Sequence, residues 1–454
     1  MKKPNILLIV VDSLRSDKVF GTKKTSITPT IDKLINDGTY FEQTISSAAS
    51  TILAVSSLLT GIYPFKLGLG DTNYKKFPSN SNNIAKILNE SGYTTYATAP
   101  EIASDFGLVC DFKNPDTTYD NYYSLFAGLG DEIINKFKNN ILESPWFFYI
   151  HLFDLHSPVI VPSSFNKSEF GISQYERMVS AIDDWLSKLL EVVDLKNTII
   201  ILTSDHGEYI PLLKTENGLI NLESTTSEQN LWKMGNKVPK NLFPLKKKIG
   251  KIIRSSRKKL NSSKINDDIL STYEKRVLFG SRMSEGHRMF DDLLKIPLVM
   301  TGPNVPCNNI VKKMIRQVDI FPSILNLISL PSPNNIDGEN IFSLKYDDNN
   351  KTLFSHIESP PAVKNQSIKY IGLRNSEFKF IQDIDGNSQS YELYDLTNDP
   401  NEEKNLVSEK PEQIEIFKKE LFEIRKNKIS QSDSKFDYNE KQKIDDVLKK
   451  LGYT

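Results

Sequence analysis

Apolar residues in this chain collect in short unbroken runs that stop abruptly at polar groups, and the stretches between carry apolar residues three or four apart. NILLIVV (5–11) ends at Asp12, TIIILT (198–203) runs into Ser204, Asp205 and His206, and WFFYIHL (146–152) runs out into Asp154 and His156. Runs of this length, rich in β-branched and aliphatic residues, read as strands buried on both faces of a parallel sheet. Between them, TPTIDKLINDG (28–38) has a Thr-Pro start, Ile31, Leu34 and Ile35 at helical spacing, and a Gly stop. Residues 82–99 read as helix, Gly turn and strand, 175–194 as a helix leading into the strand 197–204, and 318–331 as a further helix. This alternation predicts an α/β fold: a doubly wound, mostly parallel sheet flanked by helices, with polar groups gathered at the carboxyl ends of its strands. From about Ser367 short strands take over, predicting a small antiparallel sheet, with closing helices after Pro411. The expected organisation is a catalytic unit over 1–365 and a smaller unit over 366–454, with 209–285 as an insertion at the edge of the site.

Composition narrows the class. Hydrophobic residues make up 39% of the 454 positions and charged residues 25%, enough for one large core with an appended unit. Lys plus Arg and Asp plus Glu number 57 each, so no overall field favours nucleic acid. Cys110 and Cys307 lie far apart in no CxxC pattern, which argues against a disulfide framework. The N-terminal apolar run is too short for a signal peptide and ends at Asp12, and no segment is long enough to span a bilayer, so a cytoplasmic location is expected. Residues 242–260 carry eight basic groups and no acidic one. A solvated helix on a lid is the first reading, and a peripheral contact with a membrane or anionic polymer the second.

Two strand ends supplying Asp12, Asp205 and His206 make most of a divalent-cation site of hard oxygens and one imidazole. Residues 46–64, SSAASTILAVSSLLTGIYP, suit a loop entering a helix whose free amides hold an anion, and Thr51 falls at that helix start. Its hydroxyl would complete the metal shell, and a metal-activated hydroxyl is a nucleophile toward a tetrahedral ester. His156 and His287 are placed to neutralise developing charge or protonate a leaving group, and Arg15 to contact the substrate. His151, inside a strand, and His356, in an apparent loop, are read as structural. One divalent ion is expected (manganese, zinc, calcium or magnesium), with a second kept open.

At these residues the chain resembles the sulfatase branch of the alkaline phosphatase superfamily. The resemblance rests on NILLIVVDSLRSD, TPTIDKL, SSLLTGIYP, IAKILNESGY, DLHSP, TSDHGE, GHRMFDDLLKIPLVMTGP, VDIFPSIL and ELYDLTNDPNEEKNL, and on the terminal KIDDVLKKLGY. Sulfatases carry Cys or Ser in CxPxR, converted to formylglycine. Counting back from LLTG places Thr51 at that position and Val55 at the arginine. Threonine cannot give formylglycine. The first motif has Asp12 followed by Ser13 rather than paired aspartates, and His287 stands where the family has a lysine. The resemblance therefore implies a metal-dependent hydrolase or transferase of phosphate esters working through a phosphothreonine at Thr51, with Asp12, Thr51, Asp205 and His206 holding metal. The alternatives are a sulfuric ester hydrolase without formylglycine, and a catalytically degenerate binder of an anionic ligand, which Val55 and the basic segment motivate.

Overall fold

Seven residues in a row that are all buried, as Asn5–Val11 are, need neighbours on both edges and cover on both faces. The computed structural model describes residues 3–69, 75–78, 81–119, 125–215, 218–224, 270–280, 287–343, 353–360, 369–426 and 442, and supplies that setting. In chain order the strands are β1 (Asn5–Val11), β2 (Thr39–Ile45), β3 (Thr94–Pro100), β4 (Asn114–Tyr119), β5 (Trp146–Leu152), β6 (Thr198–Thr203), β7 (Leu212–Thr215), β8 (Gly218–Asn221), β9 (Lys295–Ile296), β10 (Leu298–Thr301), β11 (Asn309–Arg316), β12 (Ser355–Glu358), β13 (Tyr370–Arg374), β14 (Phe378–Asp383) and β15 (Glu392–Asp395). The large sheet runs β11-β2-β10-β6-β1-β5-β3-β4, with β9 on β2. β1 is parallel to both β5 and β6, and β3 is parallel to β4 and β5. β10 is antiparallel to β2 and β6. The sheet is thus mostly parallel, and the carboxyl ends of β1, β5 and β6 lie side by side.

The expected helices form at Pro29–Asp37, Ile84–Glu90, Gln174–Leu190 and Ile320–Leu327. Gln174–Leu190 opens on a capping box, Ser173 accepting from Glu176 N–H while the Glu176 carboxylate accepts from Ser173 N–H. Its inner face buries Met178, Val179, Ile182, Trp185, Leu186 and Leu189. The core joins these side chains to those of β1, β5 and β6.

β12 to β15 form a four-stranded antiparallel sheet, closed by the helix Pro411–Lys426 through Ile414, Phe417 and Leu421. Its first strand, Ser355–Glu358, lies ahead of residue 366. His356, expected in a loop, is in that strand, fully buried beside Tyr63 and Phe65, with Arg425 donating to its Nε2 at 3.0 Å. A strand of Ser, His, Ile and Glu has no apolar run to announce it. Among the described residues no helix is long and apolar enough to cross a membrane. The basic segment 242–260, most of the insertion 209–285 and the terminal KIDDVLKKLGY lie outside the described residues.

Candidate active site

Pleating brings the first part of the site together. Val10 of β1 pairs with His151 of β5 on one side and with Thr203 of β6 on the other. Side chains alternate along a strand, so two residues further on Asp12 and Asp205 share the face of His151. The structure gathers them: ligand atoms of Asp12, His151 and Asp205 all lie within 4.8 Å of one another, and all three residues are buried. Asp12 N–H donates to Leu152 O at 2.8 Å, extending the β1–β5 ladder to the residue that carries the carboxylate.

Thr51 opens the helix Thr51–Thr60, every residue of which is buried. The helix is N-capped by Ser50, whose side chain makes no cap hydrogen bond, and closes on Gly61 at φ 69°, where a glycine takes the left-handed turn without cost. Thr51 Oγ1 donates to Asp12 Oδ2 at 3.1 Å, so the hydroxyl expected as nucleophile touches a carboxylate expected as metal ligand. The loop before Thr51 is fastened to the loop after β6. Ser46 Oγ donates to Asp205 O at 2.6 Å, while Gln317 donates through Nε2 to Asp205 O at 3.0 Å and accepts at Oε1 from Ser47 N–H at 3.2 Å. Val55 is fully buried inside the helix.

Asp205 accepts at Oδ1 from Ser13 N–H at 2.9 Å and from His206 N–H at 2.7 Å. Burial pushes its pKa up, but His206, His151 and those two amides outweigh burial and hold it below the usual carboxylate range. His206 Nδ1 meets Gly207 O at 2.8 Å, and its Nε2 lies 3.5 Å from Asp205 Oδ2. Gly207 is required here, because a Cβ would stand 2.1 Å from Asp292 O. Burial lowers the pKa of His151 against the pull of Asp205 and Asp12, and its Nδ1 lies 2.8 Å from Tyr149 Oη.

Asp205 Oδ2, His206 Nε2 and His151 Nε2 are buried and have no hydrogen-bond partner among the described residues. Leaving such atoms unpaired in a core is costly, and a divalent cation among them would satisfy carboxylate oxygen and imidazole nitrogen together. The donor set fits a metal.

The other expected residues stand in defined surroundings. His156 is stacked on Phe153 at 4.5 Å, with Nδ1 at 3.0 Å from Ser157 O. His287 accepts at Nδ1 from Met289 N–H at 3.0 Å and meets Glu392 Oε2 through Nε2 at 3.1 Å, which ties it to the small sheet. Arg15 forks onto Asp17 at 2.8 and 3.0 Å and reaches Asp292 at 2.7 Å. It also donates to Glu208 O at 3.3 Å, so its bonds run to groups of its own chain. His151 and Ser13 are the residues that sequence reasoning missed. The signal for His151 was present, since an imidazole within an otherwise apolar buried strand needs a polar counterpart on the same face; Ser13 left no comparable trace.

The sulfatase family profile matches residues 4–330, a span that includes Asp12, Thr51, His151, His156, Asp205, His206 and His287. The chain belongs to the sulfatase family. A second profile, N-sulphoglucosamine sulphohydrolase, C-terminal, matches residues 281–429 and takes in the small sheet and the helix that closes it. Among sulfatases of known name, arylsulfatase K of Rattus norvegicus is 28% identical over 130 residues, 27% of this chain and 23% of the other. The match therefore spans under a quarter of the length of that relative. The ulvan-active sulfatase of Formosa agariphila is 22% identical over 511 residues, covering 99% of this chain and 85% of its own. Phosphonate monoester hydrolase of Agrobacterium radiobacter superposes with a TM-score of 0.65 at 16% identity, over 94% of this chain and 96% of that one, a likeness of fold.

Proposed function

We propose that this sulfatase-family chain is a metal-dependent ester hydrolase or transferase that prefers phosphate esters and works through a covalent phosphothreonine at Thr51. The observation that carries the reading is the hydrogen bond from Thr51 Oγ1 to Asp12 Oδ2 at 3.1 Å, at a helix start beside buried ligand atoms that have no hydrogen-bond partner among the described residues. A threonine hydroxyl can attack an ester directly, whereas a formylglycine hydrate cannot be made from it. Asp12, Asp205 and His206, with Thr51, are the residues that would hold the cation, and His151 adds a buried imidazole to the set. A bound divalent ion supplies the charge that lowers the hydroxyl pKa and offsets the anionic ester.

The residues divide the work as follows. Thr51 Oγ1 forms the new bond to phosphorus as the bond to the leaving oxygen breaks, and its proton passes to Asp12, the carboxylate that its hydroxyl already faces. The amides of the first helical turn, which lack a side-chain cap, face the anionic oxygens. His156 and His287 are assigned to the substrate and leaving group, with one of them protonating the leaving oxygen. Water, or an alcohol in the transferase case, then gives its proton to that histidine and attacks phosphorus, the bond to Thr51 Oγ1 breaks, and the threonine oxygen takes its proton back from Asp12. Arg15 contacts the substrate only by exchanging its bonds to Asp17 and Asp292. In this reading the partner is an anionic ester, and the basic segment 242–260 supplies a contact for an anionic polymer or membrane surface.

The names of the relatives favour a second reading, hydrolysis of sulfuric esters, which Thr51 would have to perform without formylglycine. Release of nitrophenol from phosphate monoester, phosphate diester and sulfate ester substrates by metal-loaded wild type and Thr51→Ala separates the two. Phosphate ester turnover that falls about 10³-fold or more in the variant supports the first reading. A preference for sulfate esters supports the second.

A further inference from the structure

Ser13 stands at φ 65°, the left-handed region that residues other than glycine seldom enter, and is fully buried. Its backbone N–H donates to Asp205 Oδ1 at 2.9 Å. Its Oγ donates to Asp12 Oδ1 at 2.6 Å. Its carbonyl accepts from Tyr175 Oη at 2.6 Å, and the same phenol oxygen accepts from Arg15 N–H at 2.9 Å. One residue therefore grips both carboxylates of the cradle, one through its backbone and one through its side chain, and a phenol from the helix Gln174–Leu190 holds it from behind.

Each grip takes one oxygen and leaves the other for the site. Asp12 Oδ1 goes to Ser13, which leaves Asp12 Oδ2 facing Thr51 Oγ1. Asp205 Oδ1 goes to the amides of Ser13 and His206, and Asp205 Oδ2 is buried with no hydrogen-bond partner among the described residues. The left-handed turn is what makes this possible. β1 has ended, and reversing the backbone at residue 13 points the N–H across to β6 while the hydroxyl folds back onto the preceding aspartate.

We infer that Ser13 is a positioning residue for the cation cradle, fixing which oxygen of Asp12 and which of Asp205 faces the metal, and that its left-handed backbone is kept for this purpose. The inference rests on the metal-dependent reading above. Carboxylates that are held by such outer hydrogen bonds bind metal about 10- to 100-fold more tightly than those that are not.

The test is calorimetric titration of Mn²⁺ alone, without substrate, into wild type, Ser13→Ala, Ser13→Gly and Tyr175→Phe, with near-ultraviolet circular dichroism and thermal midpoints recorded on each. The expected result is a loss of Mn²⁺ affinity of about tenfold or more in both Ser13 variants, with native tertiary signals. Ser13→Gly, which takes φ 65° without strain, melts no lower than Ser13→Ala. Tyr175→Phe leaves the Ser13 hydroxyl in place but removes the hydrogen bond to the Ser13 carbonyl, and loses less affinity than the Ser13 variants do. Folded Ser13 variants that bind Mn²⁺ as wild type does would overturn the inference, as would full affinity restored by glycine alone, which would make the hydroxyl irrelevant. Wild type that binds no Mn²⁺ would overturn the metal reading beneath it. Turnover retained by Thr51→Ala would remove the phosphothreonine and leave the Ser13 result standing.

Discussion

An imidazole placed in the middle of a buried strand must find a polar counterpart, and at His151 the counterparts are Asp12 and Asp205. The proposed cation gives that arrangement a purpose. His151→Phe, close in shape, is expected to fold and to lose about tenfold or more in cation affinity, read by calorimetry. Unchanged affinity would return His151 to a structural role. Gly207 makes a sharper prediction. A methyl group there meets Asp292 O at 2.1 Å, so Gly207→Ala must move either the loop carrying Asp205 and His206 or the segment from 287 to 294. A destabilisation of about 1–3 kcal/mol is expected in denaturant titration, with cation affinity falling alongside. An alanine variant of wild-type stability would show that the two segments are not locked together.

At the scale of elements, β1, β5 and β6 were legible because each is an aliphatic or aromatic run broken by a ligand-type residue at its carboxyl end. The helices at Pro29–Asp37 and Gln174–Leu190 were legible through their caps and their 3.6-residue spacing. β2 and β11 left weaker traces: TYFEQTI and NIVKKMIR mix charged and polar residues into strands on the far side of β10. The site divides in the same way. Asp12, Thr51, Asp205 and His206 each follow or open a legible element, and the structure brings Thr51 against Asp12 and Asp205 against His206. Ser13 acts through a left-handed backbone and a hydroxyl turned onto Asp12, and Gln317 through amide geometry across two loops, and neither a lone Ser nor a lone Gln announces such a role in the sequence. Gln317 spans the loop before Thr51 and the loop after β6 with hydrogen bonds to Ser46, Ser47 and Asp205. Gln317→Glu keeps the shape but turns two donors into an acceptor facing carbonyl oxygens. It is expected to destabilise the fold by about 2 kcal/mol or more, since buried carbonyls then face a carboxylate. Stability equal to wild type would show that the two loops are held by other contacts.

At the scale of the whole molecule, the small sheet holds one wall of the site. Asp291 is pinned by Arg374 at 2.8 Å and Lys379 at 2.6 Å, and Lys379 also reaches Glu402 at 2.6 Å. Glu402 in turn accepts from Asp291 N–H at 2.7 Å. Two residues beyond Asp291, Leu293 O takes the N–H of Gly207 at 2.8 Å, so the ion network braces the loop that carries Asp205 and His206. Lys379→Met would leave Glu402 without its cation, and a cost of about 3–5 kcal/mol is expected in denaturant titration. The same sheet carries a pH dependence. Burial, then Arg425, keeps His356 neutral with its pKa well below the usual value. Below about pH 6.5 the unfolded state binds a proton that the folded state refuses. This contribution is therefore complete above that pH and is lost as the pH falls. Thermal midpoints should drop between about pH 7 and 5, and the drop should shrink in His356→Gln, which can still accept from Arg425 but does not titrate. An identical drop in that variant would assign the effect to other groups.

All three scales converge on one atom, Thr51 Oγ1, and the most direct test is to look for the bond it forms. Metal-loaded wild type and Thr51→Ala would be quenched in acid during turnover of a phosphate ester, digested, and read by mass spectrometry. A phosphoryl group on the peptide carrying Thr51 in wild type, missing from the variant along with turnover, is the predicted result. Turnover by Thr51→Ala, or a phosphoryl group attached to another residue, would contradict it.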